Sequence, residues 1–72
     1  MGKVDFDYYT EQYFLDIDWD ESKFTEAEAK KIIKEAISRV AEREYVANDG
    51  EIDDWDYFEY CAINECKSAL GV

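Results

Sequence analysis

Fourteen of the chain's nineteen acidic residues lie in its two ends, interleaved with all but one of its twelve aromatic rings. Any fold must gather those rings into a core and still leave the carboxylates in water. Only 72 residues are available for this. A chain so short buries about 60% of the surface it exposes unfolded, so nearly every large apolar side chain is needed inside. Charge in excess favours disorder, but disordered chains are poor in aromatic residues, and this one is rich in them. A single folded domain over residues 1–72 is the expectation.

The net charge of −11 is unevenly spread. Residues 1–24 carry seven acids against Lys3 and Lys23, a net of −5. Residues 25–47 carry five acids and five bases. Residues 48–72 carry seven acids against Lys67, a net of −6. The middle is balanced as solvated helices are. A solvated face ordinarily mixes both signs, so two flanks nearly free of Lys and Arg point to a positively charged partner. Nucleic acid and anionic membranes are unsuitable partners for the same reason. Plain solvation of the outer face is the competing explanation.

Periodicity assigns the elements. Val4, Phe6 and Tyr8, then Tyr13, Leu15, Ile17 and Trp19, alternate with mostly acidic residues, the period of a half-buried strand. This predicts an antiparallel β-hairpin, 3–9 with 12–19, joined near Thr10-Glu11; a single strand after an irregular start is the alternative. The joint carries no Gly, Asn or Asp, which such turns favour. Thr25 and Glu28 form a capping box, and Ala29, Ile32, Ile33, Ala36, Ile37 and Val40 repeat at helical spacing. A helix from about 26 to 43 or a little beyond follows. Asn48-Asp49-Gly50 breaks the chain. Asp53 or Asp54 then caps a last helix, whose apolar face is Trp55, Phe58, Ala62, Cys66, Ala69 and Leu70, with Gly71 closing it. Strands around 44–47 and 51–60, turning at Asp49-Gly50, are the rival assignment. The fold class expected is therefore α+β: a hairpin packed on a central amphipathic helix, then an acidic turn and a second helix.

Two acidic rows become candidate binding residues on that fold. Asp5, Asp7, Asp16, Asp18 and Asp20 would share the outer face of the hairpin, with Phe14 and Tyr9 on or beside it. Alternate strand residues lie roughly 6.6 Å apart. That resembles the distance between phosphates along a nucleic-acid strand, whose axial rise is about 3.4 Å per nucleotide with the backbone winding round the axis. Asp49, Glu51, Asp53, Asp54, Asp56 and Glu59 form the second row, with Tyr57 and Tyr60 as aromatic anchors. Rings beside the first row, Phe14 and Tyr9, would stack on the arginines that normally grip a phosphate backbone.

Catalytic constellations are missing from the sequence. It has no histidine, hence no Cys–His pair and none of the commonest general base. Cys61 and Cys66 match neither a redox nor a zinc spacing. On a helix they stand about 140° apart, too divergent for a disulfide, which suits a reducing compartment. No phosphate-binding glycine loop occurs, and no cofactor is expected. The first residues form no apolar leader, Phe6 breaks the myristoylation pattern, and no run is long enough to span a membrane. A cytoplasmic protein is expected.

Residues 45–58 resemble an EF-hand loop, with Asp49, Gly50, Glu51, Ile52, Asp53 and Asp56 at its fifth to ninth and twelfth positions. Tyr45 and Ala47 stand where oxygen ligands belong, and Asp56 replaces the bidentate Glu, so too few oxygens remain for calcium. In composition alone, the chain resembles the small acidic phage-encoded inhibitors that imitate nucleic acid, such as anti-CRISPR and antirestriction proteins. That resemblance implies an inhibitor in the host cytoplasm that occupies the basic groove of a nucleic-acid-binding protein or ribonucleoprotein, a CRISPR effector by preference, and displaces DNA or RNA. It implies no direct binding of nucleic acid by the chain itself. An acidic antidote to a basic enzyme, or a regulatory protein-binding module, is the alternative.

Overall fold

The structure, a computed structural model, describes residues 4–47, 52 and 54–72, leaving aside the side chains of 45–47. It contains three helices: α1 (Phe6–Asp16), α2 (Glu26–Ala47) and α3 (Trp55–Leu70). There is no strand among the described residues, so the domain is all-α and the α+β expectation is corrected. Both α1 and α3 pack on α2, giving a body of 40 × 18 × 16 Å.

The hairpin fails because the first segment satisfies two periods at once. Phe6, Tyr9, Tyr13 and Ile17 are as regular at helical spacing as Val4, Phe6 and Tyr8 are at strand spacing. Local chemistry decides between them. Asp5 is extended and its Oδ1 accepts the Tyr8 N–H at 3.1 Å, which starts a helix. The side chains then sort by the helical period: Val4, Thr10, Tyr13 and Ile17 are buried. Tyr8 and Leu15, inward on a strand, stand 55% and 76% exposed. Ile17 leaves the helix in an extended conformation and donates its N–H to the Tyr13 carbonyl. In the connection that follows, the Asp20 carboxylate accepts both the N–H and the hydroxyl of Ser22.

Elsewhere the expected punctuation holds. Thr25 N–H donates to Glu28 Oε1 at 2.9 Å and Glu28 N–H to Thr25 Oγ1 at 3.1 Å, the two halves of the capping box. The helix continues to Ala47, past 43, so residues 44–47 are not a strand. Ala29, Ile33, Ala36, Ile37, Val40 and Ala41 are buried along it, and Ile32 only partly. Asp54 caps α3 by accepting the Tyr57 N–H, which makes residues 55–60 helix and not strand. Phe58, Ala62, Cys66 and Leu70 form its buried stripe, and Ala69 lies outside it, exposed. Gly71 takes a φ of 78°, where its N–H meets Ser68 O and Val72 N–H meets Lys67 O, as the C′ position requires. Ile52, on the connection from α2 to α3, is buried in the core. No helix among the described residues is long and apolar enough to cross a membrane.

Candidate functional site

Charge on the surface is arranged by α2. Its Lys30 and Lys34 reach α1, pairing with Glu11 at 3.1 Å and Asp7 at 3.4 Å. Its Arg39 and Arg43 reach α3, where both meet Glu65, at 3.1 and 3.9 Å. Every cation in an ion pair among the described residues therefore belongs to the central helix and holds a flank. Other acids lie outside these pairs. Asp16 and Asp18, around the C-terminal end of α1, have no ion pair there. A carboxylate at that end opposes the helix dipole, and no base in the last turn offsets it.

Beside this end lies a groove of about 340 Å³ between α1 and α3, open to solvent. Its walls are Tyr8, Tyr9, Gln12 and Tyr13 from α1 and Glu59, Tyr60 and Ile63 from α3, with Asp16 at the rim. None of the lining residues is a cation. Tyr9 donates its hydroxyl to Glu59 Oε2 at 2.7 Å, which fixes that carboxylate across the groove. Burial, then the bond to Glu59, raises the Tyr9 phenol above its ordinary value. Burial, then the Glu59 charge, does the same for Tyr13. Both rings stay neutral and keep their hydroxyl protons. Behind them Tyr9 contacts Trp55 and Phe58, at centroid distances of 6.5 and 5.8 Å, so the tyrosine wall is backed by the core.

A second hollow, of about 290 Å³, lies on the far side of α1's end. Phe14, Leu15, Ile17 and Trp19 line it with Asp18, Glu21 and Glu26, again without a cation. Here the rings of Phe14 and Trp19 meet at 5.4 Å, and Lys30 sits 4.8 Å from the Phe14 centroid.

The sequence-predicted rows fare differently. The outer row of the hairpin does not exist. Asp5 is occupied as a cap and Asp7 faces α2's Lys34, while Asp16 and Asp18 lie at the opposite end of α1. Some three turns of helix separate those ends. Asp20 serves its own loop, and the two bonds from Ser22 hold its carboxyl below the usual range. Phe14 is packed under Lys30 and lines the second hollow with Asp18, Glu21 and Glu26. Of the second row, Asp49, Glu51 and Asp53 lie outside the described residues, as do 48–51 and 53 of the EF-hand-like segment. Asp54 is the α3 cap, and Asp56 and Tyr57 are exposed in its first turn. Glu59 and Tyr60 are brought to Asp16 at the groove. Tyr8, Gln12, Tyr13 and Ile63 line the groove without being brought forward by the hairpin reading, whereas Tyr9, which that reading sets beside the acidic face, lines it too. The signal for them is three tyrosines within residues 8–13, which share a wall only once that segment is read as a helix.

Among the described residues, no three Cys, Asp or Glu side chains converge as a metal site would require. Cys66 is buried with its thiol 3.6 Å from the Ile33 carbonyl, and burial pushes it up to about 12. The arrangement offers carboxylates against neutral rings, the chemistry that holds organic cations. Compared with protein-family models, curated proteins and solved structures, the chain matches none.

Proposed function

We propose that this domain is an acidic inhibitor that occupies the basic groove of a nucleic-acid-binding protein and excludes DNA or RNA from it. The observation that carries this reading is the use of α2's cations. They bind the flanks inward and leave Asp16, Asp18, Asp56 and Glu59 facing solvent, and the groove that Asp16 and Glu59 line holds no base. The spacing of alternate strand residues no longer supports mimicry, since the segment is helical. Net charge still does, since eleven net negative charges on 72 residues make the domain a polyanion. Competition then follows from electrostatics, because one basic channel cannot neutralise both polyanions. A CRISPR effector is the first target to try, on the composition shared with inhibitors of that class.

The test is capture of purified nucleic-acid-binding complexes on the immobilised domain, with release of their labelled DNA or RNA as the readout. Release that is lost on Asp16→Lys, Asp18→Lys and Glu59→Lys together, in a variant that melts normally, is the expected result. A captured complex that keeps its nucleic acid overturns competition. A captured basic enzyme that holds no nucleic acid replaces this reading with the antidote one.

A further inference from the structure

The groove between α1 and α3 differs from the rest of the acidic surface in being walled by rings. Four tyrosines line it, and its two carboxylates, Asp16 and Glu59, come from different helices. Tyr8 and Tyr60 are 55% and 66% exposed. That is a costly way to place large side chains in a domain so short of core. Tyr9 occupies Oε2 of Glu59, which leaves Oε1 without a hydrogen bond from any described residue. An anchored carboxylate with one oxygen to spare, beside flat neutral rings, calls for a planar donor that can stack and donate in the same pose.

We propose that this groove seats the guanidinium group of an arginine presented by the basic partner, so that Glu59 and Asp16 accept its N–H bonds while Tyr8, Tyr9 and Tyr60 hold its plane. The proposal rests on the inhibitor reading above and assigns that surface its point of specificity. Arginine suits the site better than lysine. Its plane is weakly hydrated, stacks on rings and offers a fork of donors, whereas an ammonium is a strongly hydrated point charge. A second copy of this chain is a poor occupant. Lys23, Lys31 and Lys67 are its described cations without an ion pair, and two bodies of net charge −11 repel.

The experiment is an NMR titration of the isotope-labelled domain with two capped pentapeptides, Gly-Arg-Gly-Arg-Gly and its lysine counterpart, at one ionic strength. The arginine peptide is expected to move the signals of Tyr8, Glu59 and Tyr60 and to bind several-fold tighter than the lysine peptide. Tyr60→Ala and Tyr8→Ala leave the net charge and the core untouched, and each should weaken it about two- to fivefold. Glu59→Gln should weaken it about tenfold. Equal affinity for both peptides, or tyrosine variants that bind like the parent, overturns the proposal. The two readings fail separately. If the triple charge reversal abolishes nucleic-acid release while Tyr8→Ala and Tyr60→Ala preserve it, competition stands and the arginine seat falls. If the groove takes the arginine peptide but no complex releases nucleic acid, the inhibitor reading falls.

Discussion

The two flanking helices rest on the same partner in different ways. Between α2 and α3 the seam is apolar and closed: Ile33, Ile37, Val40, Phe58, Cys66 and Leu70 are at most 2% exposed. On α1 and its ends the buried side chains are Val4, Thr10, Tyr13 and Ile17, each still slightly open, and Lys30 and Lys34 of α2 hold its margin. Thr10 Oγ1 is buried there with no hydrogen-bond partner among the described residues. One seam is built for stability. Ion pairs edge both, but the other seam adds phenols and a hydroxyl, which contribute little or cost something, and the same helix supplies most of the groove. The closed seam thus belongs to α3, and the groove is shared, with α1 supplying five of its lining residues and α3 three.

The sharpest way to break this comparison is Phe58→Ala, which removes a fully buried ring. The loss should be about 3–5 kcal/mol, a large part of what so small a domain has, and should unfold it well below its parent's melting temperature. A loss under about 1 kcal/mol in urea denaturation would mean that the α3 seam is not the stabilising one.

Alkaline titration comes next in size. The Cys66 thiol is raised from about 9 to about 12, and the Tyr9 and Tyr13 phenols are raised from 10, all chiefly by burial. The folded state therefore holds protons that the unfolded state releases. That contribution is complete below about pH 9 and is lost as the pH rises towards about 12. Urea midpoints should be level up to about pH 9 and fall beyond it.

Thr10→Val should act in the opposite sense. It keeps the shape of the side chain and removes a buried hydroxyl that is unsatisfied. A gain of about 1 kcal/mol in stability is expected. A loss would show that the hydroxyl finds a partner in solution and that the α1 seam is better satisfied than described. The smallest effect belongs to the margin. Lys34→Ala removes an exposed pair at 3.4 Å. Stability should change by less than about 0.5 kcal/mol. That difference should vanish in high salt.

The parts of the fold legible in the sequence are those announced by a few residues acting locally. Thr25 with Glu28, Asp54 and Gly71 each mark a helix end by satisfying backbone groups that nothing else can reach, and each is found in that role. The first segment misleads because aromatic residues crowd it. With Phe6, Tyr8, Tyr9, Tyr13, Phe14, Leu15 and Ile17 all apolar in part, two periods fit equally well, and only Asp5 and the missing turn residues argue for helix. The site inherits that error. Glu59 and Tyr60 stand out from their own neighbourhood, but their meeting with Asp16 and Tyr9 depends on α1 lying beside α3. That is a tertiary fact, which no local spacing encodes.

The order in which the helices pack has a consequence in time. α2 is bound to its two neighbours in the chain, so the stabilising contacts close short loops and little search is needed to find them. Helical proteins of such local topology fold in microseconds to milliseconds. A ribosome adding about 5–20 residues per second takes several seconds to make the chain. Synthesis, and not folding, would then set how soon each new copy is ready to bind.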